Sequence, residues 1–358
     1  MRILVVNAGS SSLKLRLLGP DNAMLEEADI AAPRAEVDAA ALRAWIADAG
    51  AVDAVGHRIV HGGERFRGAV RIDAPVVDAL HALTDLAPLH QPKSLAALGA
   101  VAEALPDTPA VACFDTAFHA TLEPAAATYA VPAAWRERWG VRRFGFHGLS
   151  HAYASRRAAE MTGAARVVTC HLGAGASLAA VRDGRSVDTT MGFTPLEGVP
   201  MATRAGSVDP GALLHLLRHG LTVDEVEQTL EHESGLLGLS GSSADVRELE
   251  QSDDEAAQLA LDVFCYRVAG AVGAMATALG GLDALVFTGG VGERSGPVRA
   301  AAADGLAFLG VALDAARNAG ANGADDVDVT GAGATVRTLV VAAREDLEIA
   351  RQVRALLG

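Results

Sequence analysis

Lys14, Arg58, His147 and Arg204 are groups that can neutralise phosphate oxygens, while Asn7, Asp115 and Glu345 offer oxygens that can hold a divalent metal directly or through water. Phosphoryl transfer needs both sets. Cationic donors stabilise charge on the transferring phosphate, and oxygen ligands hold the metal against the nucleotide phosphates. Each member alone also fits a structural role. Arg58 reads as a surface ion pair, His147 as a hydrogen-bonded core histidine, and Glu345 as a first-turn acid favoured by its helix dipole.

The elements that must carry these groups begin with the first hairpin. Ile3 to Val6 is a short apolar run suited to a buried strand, and Asn7 to Ser12 breaks it with small polar residues. Leu13, Leu15 and Leu17 then alternate with Lys14 and Arg16 as a second strand. A tip of hydroxyls, backbone N–H groups and one ammonium suits phosphate oxygens, although the same run also reads as an ordinary polar β-turn. A later strand, Ala165 to Leu172, opens into GAGASL (Gly173 to Leu178) and an alternating strand that turns at Asp183-Gly184. Two strand–AGxS–strand units suggest a duplicated fold. Gly-rich turns follow strands at Asn7, Gly62, Gly173 and Gly289. None is GxGxxG or GxxxxGK[ST], so they argue for a nucleotide clasped between two domains and against the Rossmann and P-loop designs.

Between these turns the periodicity predicts helices over Glu36–Ala49, Pro75–Leu86 and Ser94–Ala104. It predicts strands over Ala51–Val60 and Ala110–Phe114, the latter carrying Asp115 at its C-terminal end, where α/β sheets collect ligands. A helix follows GFHGLSH (Gly145 to His151) as far as Thr162. Asp209-Pro210 and the pair Thr222/Glu225 read as helix starts. Asp253 to Leu279 reads as a long apolar helix, Ala284–Thr288 and Val336–Ala343 as strands, and Arg344–Leu357 as the last helix. The change of character at Ala133 to Gly145, with two tryptophans and four arginines, marks a domain boundary near residue 140.

Composition narrows the class. The chain has 358 residues, long enough for two cores. With 30 basic against 44 acidic side chains the net charge is −14, which argues against bulk attraction to nucleic acid or acidic membrane. Cys113, Cys170 and Cys265 lie far apart in apolar stretches, the pattern of buried thiols in a reducing compartment. The apolar window Val268 to Leu282 is shorter than a membrane span and reads as a packed core helix, so a cytoplasmic protein is expected.

The whole pattern resembles the acetate kinase family along nearly its full length. The resemblance rests on NAGSSSLK (7–14), GHRIVHGGE (56–64), FDTAFH (114–119), GFHGLSH (145–151) and MGFTPLEG (191–198). It continues through TRAG and VDPG (203–211), FTGGVGE (287–293) and REDLEIAR (344–351). It implies an α/β fold of two duplicated actin-like, ribonuclease H-like ATPase domains with a nucleotide cleft between them. The expected domains are 1–140 plus 345–358 for the acyl substrate and metal, and 141–344 for nucleotide and dimerisation. Its implied reaction is reversible, Mg2+- or Mn2+-dependent transfer from ATP to acetate, giving acetyl phosphate and ADP. Propionate or another short acid is the alternative acceptor, and a catalytically weakened nucleotide-binding sensor the alternative of another class. By position, Asn7 and Glu345 are expected at the metal and Lys14 on nucleotide phosphate. Asp115, His147 and Arg204 are expected as catalytic, with Arg58 on the substrate carboxylate. Val60, Leu89, Phe146 and Pro195 would form its apolar pocket. His171, Leu172, Gly173, Ala174 and Gly175, then Asp245, Val246 and Arg247, then Gly290, Val291, Gly292, Glu293 and Arg294 would line the nucleotide. The family further implies a homodimer, with no nucleic acid or membrane partner. Acetate is already an anion, so Asp115 is read as organising metal and Arg58 more than as a base.

The chain departs from the family pattern in its second phosphate turn, HLGAG where HLGNG is usual, with Ala174 in place of the asparagine. Losing that amide removes a charge-assisted bond, roughly 1.5–3 kcal/mol, and predicts a weakened enzyme. Arg294, TRAGS (203–207) and HQPKS (90–94) are smaller departures.

Overall fold

The computed structural model describes residues 1–8, 12–31, 38–87 and 91–358. Leu89, the tip of the first hairpin and the start of the first predicted helix lie outside them. The described chain divides into two compact units, residues 1–120, 146–153 and 344–358 in one, 121–145 and 154–343 in the other.

The first unit is built on a six-stranded sheet of β1 (Ile3–Ala8), β2 (Ser12–Leu18), β3 (Met24–Ala31), β4 (Ala54–Ile59), β5 (Val70–Arg71) and β6 (Ala110–Phe114), in the order β3-β2-β1-β4-β6-β5. β1 pairs antiparallel with β2, setting Asn7 opposite Lys14, and parallel with β4. Alternation fills both faces of the sheet. Leu4, Val6, Leu13, Leu15 and Leu17 pack with Leu42 and Ile46 of the helix Ala39–Ala49. Ile3, Val5 and Val111 pack on the other face with Ile349 and Val353 of the helix Glu345–Leu357. A side chain at Gly56 of β4 would collide with Ile349 and Val353, so this glycine lets the last helix lie directly on the sheet.

The second unit repeats the plan with β7 (Arg166–Leu172), β8 (Ala176–Arg182), β9 (Arg185–Thr189), β10 (Ala284–Thr288), β11 (Val327–Asp328) and β12 (Arg337–Val340). Its order, β11-β12-β10-β7-β8-β9, is the first sheet's order with every strand number raised by six and read from the other edge. The orientations repeat as well. β7 runs antiparallel to β8 and parallel to β10, and β12 lies parallel to β10 and antiparallel to β11. This is the duplicated α/β fold expected from the echo of the two hairpins. The turn at Asp183-Gly184 has φ of +50° and +75°, as a two-residue hairpin turn requires. The helix Glu255–Leu279 buries Ala257, Ala260, Phe264, Val268, Val272, Met275 and Leu279 at helical spacing.

Several predicted boundaries move. The second predicted helix is Ala74–Ala82 followed by a single 3-10 turn at Thr84–Leu86, and the third starts earlier, at Gln91. The last strand is trimmed to β12. The stretch after β10, read as an open glycine turn, is a short helix, Gly289–Arg294. The chain also changes unit at 120/121 instead of near 140. Arg143 N–H donates to Ala127 O at 2.9 Å and Phe144 N–H to Gly192 O at 3.0 Å, which draws 121–145 to the second unit. Leu149 sits in the first unit's core, and Gly148 N–H donates to Asp115 O at 2.9 Å, which returns 146–153 to the first.

Candidate active site

In the first unit the ends of two strands, the residue after a third and the first turn of the last helix bring Asn7, Arg58, Asp115 and Glu345 together. Arg58, near the end of β4, sends Nε to both Asp115 carboxylate oxygens at 3.1 Å and Nη2 to Oδ2 at 2.6 Å. Its Nη1 donates to Asn7 Oδ1 at 3.0 Å. Asn7 Nδ2 in turn donates to Glu345 Oε2 at 2.8 Å, and Arg58 Nε stands 3.9 Å from the same oxygen. Asp115 is 1% exposed. Burial works against charge on Arg58, but Asp115 and Glu345 outweigh it and hold the guanidinium above its ordinary value. Burial likewise pushes the Asp115 carboxyl upward, with Arg58 pulling it down. The fork of contacts engages both Asp115 carboxylate oxygens with Arg58.

Asn7 and Glu345 set an amide oxygen and a carboxylate beside that guanidinium. Hard oxygen donors of this kind match Mg2+, which keeps few protein ligands and takes the rest from water and phosphate. Among the described residues there is no group of three or more His, Cys, Asp or Glu side chains placed to hold a metal.

Beside this cluster Val60 and Phe146 are buried, at 6% and 2% exposure. Phe146 meets the His61 ring edge-on at 5.5 Å, and its carbonyl accepts from His119 Nε2 at 3.0 Å. The Gln91 side chain accepts from His61 N–H at 3.3 Å. His147 follows with φ of +55°, a left-handed conformation rare outside glycine, just before the helix Gly148–Thr162. Lys14 points out of β2 and is exposed.

The second unit brings the remaining stretches together. His171 at the end of β7 pairs with Thr288 at the end of β10, and a side chain at Gly173 would meet His171 Nε2 and the backbone N of Gly290. The turns after these two strands therefore lie against each other. Ala174 is exposed, and its carbonyl accepts from Ala202 N–H at 3.1 Å, which joins this turn to the loop of Arg204. Asp245 caps the helix Val246–Glu250, accepting from Arg247 N–H at 2.9 Å and pairing with the Arg247 guanidinium. Hydrogen bonds from the Arg247 guanidinium first, and then from its backbone N–H, hold the Asp245 carboxyl below its usual value. Val246 is buried. Glu250 accepts from Ser295 Oγ, which links this helix to the end of Gly289–Arg294. Within that short helix Gly290 and Arg294 are exposed, while Glu293 turns inward to accept from Gly289 N–H at 3.0 Å and Ala343 N–H at 2.8 Å.

Four residues at these places were not singled out from the sequence. Glu231 accepts from Arg204 Nε at 3.1 Å and fixes its guanidinium. Tyr129, Arg143 and Glu197 surround the loop of Pro195. Glu197 lies inside the quoted MGFTPLEG and Arg143 inside the arginine-rich stretch, which is the signal that could have found them.

The model of the acetokinase family matches residues 36–351. An acetate kinase of Gloeobacter violaceus is 50% identical over 316 residues, covering 86% of this chain and 77% of that protein. The chain belongs to the acetokinase family. Among solved structures, the acetate kinase of Porphyromonas gingivalis superposes with a TM-score of 0.91 at 36% identity, covering all of both chains. A propionate kinase from Francisella tularensis gives 0.91 at 34%, covering 99% of both. As a family member the chain is a kinase whose phosphoryl acceptor is a carboxyl group.

Proposed function

We propose that this chain is an acetate kinase, transferring the phosphoryl group of ATP reversibly to acetate to give acetyl phosphate and ADP. The observation that carries the reading is the four-residue cluster of the first unit. Arg58 is oriented by Asp115 and Asn7, and its guanidinium is the cation that suits a small carboxylate, which needs orientation more than deprotonation. Val60 and Phe146 supply apolar surface beside it, and the family pattern gives Leu89 and Pro195 the same role toward the acyl chain.

Asn7 and Glu345 would hold Mg2+ or Mn2+, which when bound neutralises charge on the nucleotide phosphates. His147 and Arg204 donate to the transferring phosphoryl oxygens, and Glu231 keeps the Arg204 guanidinium in place. Lys14 pairs with nucleotide phosphate. The adenine nucleotide lies along His171–Gly175, Asp245–Arg247 and Gly290–Arg294 of the second unit. Glu293 shapes that strip through the two backbone N–H groups it accepts from. Transfer is in line and direct. The protein works in the cytoplasm as a homodimer through the second unit, a reading supported by the exposed Leu259 and Tyr266 on the helix Glu255–Leu279.

Propionate is the competing acceptor, and one methylene is worth only about 1–3 kcal/mol of selectivity. Ala174 favours a second reading, a nucleotide sensor with weakened turnover. Trapping the acyl phosphate as hydroxamate from acetate, propionate and butyrate, each with ATP and Mg2+, tests all three. Turnover with acetate exceeding that with the longer acids is expected. Silence with every acid would overturn the proposal in favour of the sensor.

A further inference from the structure

Tyr129, Arg143 and Glu197 form a polar cluster that the proposed reaction does not use, and their side chains bond to the end of β9 and to the loop 191–198. Arg143 Nη1 donates to three successive carbonyls, Thr189 O at 3.1 Å and Thr190 O and Met191 O at 3.0 Å, where β9 gives way to the loop. Its Nη2 donates to Glu197 Oε1 at 2.8 Å near the loop's far end. The other Glu197 oxygen accepts a short hydrogen bond from the Tyr129 hydroxyl, which itself accepts from Phe193 N–H at 3.0 Å in the middle of the loop. The Arg143 guanidinium also lies 5.5 Å from the centre of the Tyr129 ring.

Three points of the loop, at Met191, Phe193 and Glu197, are thus tied into the Arg143 guanidinium and the Tyr129 hydroxyl, and Pro195 stands between the second and third. The backbone of the preceding segment adds to this, with Phe144 N–H and Gly145 N–H both donating to Gly192 O, at 3.0 and 3.3 Å. A side chain at Gly192 would strike both the Glu197 carboxylate and the Tyr129 hydroxyl, so the clamp closes only over glycine there. Arg143 and Glu197 are 17% and 33% exposed, enough burial for the pair to hold geometry as well as charge. Burial first, and then Glu197, pushes the Tyr129 hydroxyl upward, which keeps its proton on the bond to Glu197.

We propose that Tyr129, Arg143 and Glu197 are positioning residues that hold the Pro195 loop in one conformation and thereby set the acyl-chain selectivity of the kinase. The proposal rests on the assignment of Pro195 to the acyl pocket. The two are separated by measuring kcat/KM for acetate, propionate and butyrate in the parent protein and in Pro195→Ala, Glu197→Ala, Glu197→Gln and Tyr129→Phe, with unfolding midpoints for all. Pro195→Ala, Glu197→Ala and Tyr129→Phe are expected to raise the butyrate-to-acetate ratio about fivefold or more, through KM for the acid, with KM for ATP unchanged. Glu197→Gln, which still accepts from Arg143, is expected to keep most of the parent ratio. If Pro195→Ala shifts the ratio while Glu197→Ala and Tyr129→Phe lower only the unfolding midpoint, the cluster is structural and the proposal fails. If Pro195→Ala leaves the ratio unchanged, the assignment of Pro195 fails and the proposal with it. Should Glu197→Ala not fold, Tyr129→Phe, which removes one oxygen, decides alone.

Discussion

Asn7 Nδ2 donates to Glu345 Oε2 at 2.8 Å across 338 positions of sequence. The bond ties the first strand of the chain to its last helix, and the same amide presents its oxygen to Arg58. A side chain that meets a carboxylate with its nitrogen and a guanidinium with its oxygen fixes both. Asn7 therefore aligns Glu345, in addition to the metal-ligand role proposed for it.

The first prediction concerns this pair. Asn7→Ala and Glu345→Gln should each raise the half-saturating Mg2+ concentration about tenfold or more, the usual cost of disturbing a metal's ligands or their supports. The double variant should be less than additive, because the residues act as one unit. Titrating activity against Mg2+ in the four proteins checks this. A requirement unchanged from the parent in both single variants would remove the pair from the metal site.

The second prediction separates charge from geometry at Arg58. Arg58→Met leaves the Asp115 carboxyl buried without its partner, and breaking such a pair costs about 3–5 kcal/mol of stability. Arg58→Lys restores the charge but not the fork. Its unfolding midpoint should recover much of the loss, while KM for acetate stays raised about tenfold. Asp115→Asn should lose most turnover at every Mg2+ concentration. Full activity in Asp115→Asn would exclude it both as organiser and as base.

The third prediction is a gain. Ala174 is exposed, and the turn's tie to the Arg204 loop runs through its carbonyl, which any residue keeps. Ala174→Asn should therefore add an amide without disturbing the backbone, and raise kcat/KM for ATP about tenfold or more. No gain would mean that another donor already serves the phosphate.

How much of this was readable beforehand follows from the range of each interaction. Alternation at Leu13, Leu15 and Leu17 and the two Gly/Ser turns made both hairpins and the duplication legible, since a hairpin is written in neighbouring residues. The order of six strands in each sheet was not, because β4, β6, β10 and β12 pair in parallel with partners far along the chain. The same division runs through the site. Arg58, Asp115, Asn7 and Glu345 stand in quoted motifs and were gathered by chemistry. Glu231, Tyr129, Arg143 and Glu197 hold another side chain or a loop across spans of 27 to 68 positions, and although Glu197 and Arg143 stand in stretches already marked, nothing local gives these residues their partners. Glycines misled at Gly289, where the short spacing of a turn hid a single helical coil closed by Glu293 onto Gly289 N–H.

The last prediction is one of pH. His57 lies on β4 at 2% exposure, and burial lowers its pKa from 6.5 to about 4; burial lowers His61 to about 4 as well. Both are neutral in the folded protein at pH 7. Between pH 6.5 and about 4 the unfolded chain binds protons that the folded protein refuses, so stability falls as pH drops through that window and levels off below it. For His57 the full difference is on the order of 3 kcal/mol. Asp115, whose carboxyl is raised by burial, works in the opposite sense, gaining stability for the fold as it takes up a proton. The contribution of His57 and His61 to the unfolding midpoint should therefore fall from pH 7 to pH 4.5, with Asp115 acting against it. His57→Leu, which has no proton to refuse, should flatten that fall while leaving the midpoint at pH 7.5 within a few degrees of the parent. Equal slopes in parent and variant would show that His57 takes up its proton inside the fold as readily as in the unfolded chain, and would overturn the prediction.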